Sequence, residues 1–123
     1  MTTRDTTTTT VRMRGKVALV DLVGDIDAGA DQAIAAAWQE ATQQRAESVV
    51  LNFERAGYIN STGIALIVGV FGRARAEGRA VQACGLTPHY AHIFEITRLS
   101  DFISIYPDVD SAVAESTTEE PQP

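Results

Sequence analysis

Apolar positions along this chain switch between a period of two and a period of three to four, and the switching divides it into short elements. Val11-Arg12-Met13 and the run from Lys16 to Val23 read as a hairpin turned at Arg14-Gly15. In its second arm Val17, Leu19 and Asp21 alternate with Ala18, Val20 and Leu22. From Ala28 to about Arg45 the period lengthens, and Ala30, Ile34, Ala37, Trp38 and Ala41 form one stripe on an alanine-rich helix. Asp27 or Ala28 precedes that helix, and Trp38 belongs to its core face. Ser48 to Phe53 is a β-branched, apolar run bounded by polar residues, which predicts a buried strand. Ile64, Ile67, Val68 and Phe71 return to helical spacing, and Ala80 to Cys84 is strand-like again. Pro88 opens a short helix containing Ile93 and Phe94. Ile103 to Tyr106 is a last strand stopped by Pro107. Asp108 to about Glu115 forms a small helix that turns Val109, Ala112 and Val113 inward.

The resulting order is ββαβαβαβα. Such alternation predicts an α/β layer structure: a small mixed, largely parallel β-sheet packed by helices, with an antiparallel strand at the start. The 123 residues suit one domain, expected over 11–115. The threonine-rich stretch 1–10 offers little to bury and is expected to be disordered, as is the polar, acidic tail 116–123.

Charge and composition narrow the functional classes. The formal net charge is −6, with 16 acidic and 10 basic residues. Five acids (Asp108, Asp110, Glu115, Glu119 and Glu120) lie beyond Pro107, so the rest carries 11 acids against 10 bases. This balance argues against nonspecific nucleic-acid binding. Arg73, Arg75 and Arg79 form the one basic cluster, either a solvated helix end that suits the helix dipole or a docking surface. No apolar run approaches the ~20 residues that span a bilayer, and the N-terminus lacks the apolar centre of a signal peptide. A cytoplasmic protein is therefore expected, with no membrane partner. The lone Cys84 fits a reducing compartment and, within a strand, a small buried side chain.

Candidate chemistry concentrates between the strand ending near Phe53 and the helix beginning near Ile64. In Tyr58-Ile59-Asn60-Ser61-Thr62-Gly63-Ile64, Asn60 or Ser61 can cap the helix, presenting a small hydroxyl beside N–H groups that favour negative charge. A phosphate on Ser61 would meet the positive end of that helix. Other chemistries are less well founded. His89 and His92 with Glu95 could share a helix face as metal ligands, but no further ligand is indicated and surface positions explain the spacing. No Gly-x-Ser-x-Gly elbow marks Ser61 as a nucleophile, and no Gly-x4-Gly-Lys-Ser/Thr loop is present. No metal, cofactor or enzymatic activity is expected.

Three segments in order resemble one family. Ile59-Asn60-Ser61-Thr62-Gly63-Ile64 is similar to the Asp-Ser-Ser-Gly or Asp-Ser-Thr-Gly signature of bacterial anti-sigma factor antagonists, members of the STAS domain family. Val23-Gly24-Asp25-Ile26-Asp27-Ala28 resembles the family's Gly-Glu-Leu-Asp segment, and Glu77 to Pro88 its helix-to-strand turn and following loop. The likeness runs from about Val11 to about Val113, with one departure: Asn60 replaces the usual aspartate. The resemblance implies the STAS fold and a partner switch. The unmodified antagonist binds an anti-sigma factor, a serine kinase of the histidine-kinase-like ATPase fold, and thereby frees a sigma factor. The kinase phosphorylates the first serine of the motif, here Ser61, and a metal-dependent serine phosphatase restores the active form. Asp25 and Asp27 would form an acidic rim, Asp27 also suiting a helix cap, while Asn60, Thr62 and Gly63 would shape the site. Gly63 would let a partner backbone approach, or would merely avoid a clash in the first turn. The alternative is a scaffold of the same fold in a larger signalling assembly, with Ser61 unmodified.

Overall fold

A computed structural model describes residues 7–118. Five strands form one sheet: β1 (Thr8–Arg14), β2 (Val17–Ile26), β3 (Ser48–Ile59), β4 (Ala80–Cys84) and β5 (Ser104–Tyr106). They lie in chain order across the sheet, β1 antiparallel to β2 and every later pair parallel. The helices are α1 (Asp31–Gln43), α2 (Ser61–Glu77), α3 (Pro88–Ile96) and α4 (Val109–Thr118). Short 3-10 turns at Ala28–Ala30 and Leu99–Asp101 precede α1 and β5.

Because the parallel strands never reverse their order, right-handed crossovers put α1, α2 and α3 on the same face. There the stripe Ile34, Ala37, Trp38 and Ala41 meets Val20, Leu22, Val49 and Leu51, while Ile67, Val70 and Phe94 complete the main core. α4 follows the last strand and covers the other face, where Ala112 packs with Val17, Leu19, Val50 and Cys84. Both faces of β2 and β3 are therefore buried over their first halves, as in parallel sheets generally.

Cys84 is fully buried on that second face. Burial pushes its thiol up to about 12, with the charges of Glu54, Asp108 and Asp21 adding to the effect. A thiol held protonated in this way is a packing residue.

Both ends of the expected domain need correction. Thr8–Thr10, assigned to a disordered stretch, belong to β1 and pair with Asp21–Val23. Threonine is β-branched and suits a pleated strand whatever its sequence complexity. At the other end α4 continues to Thr118, because the Ser116 hydroxyl is buried 2.9 Å from Gln82 Oε1 and 2.8 Å from Ala112 O. The rest of the expected disordered segments, 1–6 and 119–123, lies outside the described residues. β3 also runs beyond the expected Phe53, through register shifts against β2, to Ile59.

Candidate functional site

The ends of β2 and β3 lie side by side, with Ile26 paired to Ile59. Beyond Asn52 no residue of β3 pairs with β4, so the outer half of β3 is held by β2 alone within the sheet. The chain then turns into α2 at Asn60, whose backbone is extended (φ −92°, ψ −178°). Asn60 Oδ1 accepts the Gly63 N–H at 2.8 Å, and Asn60 O accepts the Ile64 N–H at 2.9 Å. This is side-chain capping of a helix start, and Asn60 rather than Ser61 performs it.

Ser61 and Thr62 occupy the first two helical positions, and both are exposed. Their N–H groups have no carbonyl one turn earlier in the helix to bond. The Ser61 side chain therefore stands at the positive end of a 17-residue helix. The first-turn N–H groups would act as donors to an anionic group attached there.

Asp25 and Asp27 flank the same junction, and Ile26 between them accepts the Asn60 N–H at 3.2 Å. Each commits a carboxylate oxygen to the backbone. Asp25 Oδ1 accepts the Tyr58 N–H at 2.8 Å, and Asp27 Oδ1 accepts the Gly29 N–H at 2.9 Å, capping the turn into α1. The Thr7 hydroxyl donates to the Asp25 carbonyl. The structure thus brings all six residues from the sequence reading to one corner of the sheet.

Gly63 departs from the expectation of an open approach for a partner. It is buried, and a Cβ there would lie 2.8 Å from the Ile26 carbonyl carbon and 3.1 Å from Ile26 Cγ2. The backbone that needs the space is the chain's own β2.

Tyr90 of α3 also belongs to this corner. Its hydroxyl accepts the Ile59 N–H at 2.9 Å. No local pattern signals this contact, since the two residues are 31 apart. His89, His92 and Glu95 are exposed on α3, and the described residues contain no group of three His, Cys, Asp or Glu side chains able to hold a metal. Of the basic cluster, Arg79 is anchored through Nε to Ala46 O at 2.8 Å and paired with Glu77. Arg75 lies over the Phe102 ring at 5.9 Å, and Arg73 is exposed.

Asn60→Ala is expected to cost about 1 kcal/mol by removing the cap, while Asn60→Asp keeps an acceptor and should melt close to wild type. Thermal melts of the two variants check this. Equal destabilisation would mean that the amide, not the cap acceptor, supports the junction.

The arrangement is that of a small α/β domain presenting an exposed hydroxyl at a capped helix start, with acidic residues beside it. The STAS domain family model matches residues 8–112, and the chain belongs to that family. No curated protein matches it in sequence. Among solved structures it is similar to an anti-sigma factor antagonist from Mycobacterium paratuberculosis, with 19% identity and a TM-score of 0.77 over 93% of this chain and 97% of that one. The phosphorylated form of the Bacillus cell fate determinant SpoIIAA gives 21% identity and a TM-score of 0.68 over 88% and 98% of the two chains. A sulfate transporter family protein from Wolinella succinogenes gives 12% and 0.75 over 86% and 88%. At these identities the likeness establishes the shared fold.

Proposed function

We propose that this protein is an anti-sigma factor antagonist that acts by binding rather than by catalysis. In its unmodified form it engages an anti-sigma factor serine kinase of the histidine-kinase-like ATPase fold and releases a sigma factor in the cytoplasm. Phosphorylation of Ser61 ends that engagement, and a serine phosphatase reverses it. The observation that carries this reading is the exposed Ser61 at the first position of α2, one residue after the Asn60 cap. A hydroxyl there is open to a kinase, and the phosphate would add about −1.5 to −2 charges beside the first-turn N–H groups. Asp25 and Asp27 supply an acidic flank against which a new anion in an interface would be unfavourable.

The test begins by recovering the ATP-binding kinase from cell extract on immobilised Ser61→Ala protein. Incubation of wild type with that kinase and ATP should add one phosphate, located by fragment mass analysis on Ser61 and not on Thr62. Undiminished phosphorylation of Ser61→Ala would defeat the assignment. Asn60, where the family signature has aspartate, favours a second reading: a scaffold of the same fold whose serine is never modified. Recovery of a large homologous assembly instead of a kinase would support it.

A further inference from the structure

Successive N–H groups of an extended strand point to opposite sides, so the end of β3 can be held from two directions. On one side the Asn60 N–H reaches Ile26 O of β2 at 3.2 Å. On the other, β4 has already ended its pairing at Asn52↔Cys84, and the Ile59 N–H is met by the Tyr90 hydroxyl at 2.9 Å. The first restraint is backbone to backbone and largely indifferent to sequence. The second depends on a single side chain.

That side chain is itself fixed. Thr87 caps α3, its Oγ1 accepting the Tyr90 N–H at 3.3 Å, and Pro88 occupies the first turn. The Tyr90 ring is partly buried against the main core, and the His89 ring lies 4.9 Å away. A buried N–H without an acceptor is costly, so the phenol takes the place of a missing strand. We propose that Tyr90 is the positioning residue of the Ser61 site, fixing the β3–α2 junction so that a phosphate on Ser61 sits on the first-turn N–H groups of α2. This rests on the reading of Ser61 as the modified residue. It adds that α3, which carries no part of the motif, controls how the phosphoryl group is seated.

The experiment is independent of any kinase. Full-length protein is made with phosphoserine genetically encoded at position 61, and its second ionisation is followed by phosphorus NMR. A free phosphoserine titrates near pH ~6. Seating on helix N–H groups favours the dianion and lowers this value, while the carboxylates of Asp25 and Asp27 beside the junction raise it in every variant alike, so the comparison between variants isolates the seat: Tyr90→Phe should titrate about 0.3 units above wild type. Ile103→Val, a core change away from the junction, serves as the stability control and should leave the titration in place. Identical titrations in wild type and Tyr90→Phe, a lower value in Tyr90→Phe, or an equal shift in Ile103→Val would each overturn the proposal. If the kinase assay fails while the titration behaves as expected, the seat exists and the kinase reading falls instead.

Discussion

Gly63→Ala is expected to lower the melting temperature by roughly 10 °C or more, equivalent to about 2–3 kcal/mol for a domain of this size. The added methyl would meet the Ile26 carbonyl, which is backbone of β2 and hydrogen-bonded to Asn60. A side chain could rotate away, but a paired strand cannot. Either α2 moves outward at its first turn, breaking the Asn60–Ile26 bond and exposing part of the core under Ile67, or β2 bends. Gly69→Ala and Gly72→Ala provide the contrast. Both glycines lie on the exposed side of α2, and a Cβ there meets nothing within 4 Å. Alanine at either should stabilise the helix by up to about 0.5–1 kcal/mol. Differential scanning calorimetry of the three variants checks the set. A Gly63→Ala protein that melts with wild type would show that the junction is loose, and the close approach of β2 to α2 would lose its role in the site.

The same contact shows what local pattern could and could not reveal. A capped helix start at Asn60-Ser61 is legible because capping involves residues three apart, well within one motif, although the sequence leaves open which of the two caps. The core stripe of α1 was legible because periodicity along a helix is also local. Avoidance of a clash at Gly63 is one of the two sequence readings, but the neighbour it spares is not legible, because Ile26 is brought close only when β2 and β3 pair. The contact of Tyr90 with Ile59 is invisible in local pattern for the same reason. The outer half of β3 is hidden differently: the apolar run that predicts the strand stops at Phe53, and the exposed Glu54, Arg55, Gly57 and Tyr58 do not extend it, yet the strand continues through pairing with β2. Strand composition reflects burial as much as backbone conformation, and this segment is strand without being core. At the amino end, Thr8–Thr10 were obscured by the repetitive threonine around them, although the residue type favours a strand.

Under the proposed function, binding to an anti-sigma factor kinase should separate the Ser61 variants by charge rather than by size. Ser61→Ala removes a hydroxyl from an exposed first-turn position, and Asn60 retains the cap, so its Kd should stay within about threefold of wild type. Ser61→Asp places one negative charge in the proposed interface and should raise Kd at least ~10-fold, a loss of about 1.4 kcal/mol. Phosphorylated Ser61 carries nearly twice that charge and should raise it ~100-fold or more. The helix end adds to this change, since a phosphate seated on the first-turn N–H groups is stabilised in the free protein before any partner arrives. Binding would then have to strip the phosphate of both water and those donors, which makes the modified form the weaker partner. The two effects act in the same direction on the complex, and Asp25 and Asp27 beside the junction add to the repulsion. Because exposed charges are screened, the Ser61→Asp penalty should shrink as salt rises from 50 to 500 mM if it arises from long-range repulsion, and persist if it arises from desolvation. Isothermal titration of all four proteins with the purified kinase, repeated at the two salt concentrations, measures each term. Equal affinities across the series would place Ser61 outside the interface and leave the scaffold reading as the better account of this fold.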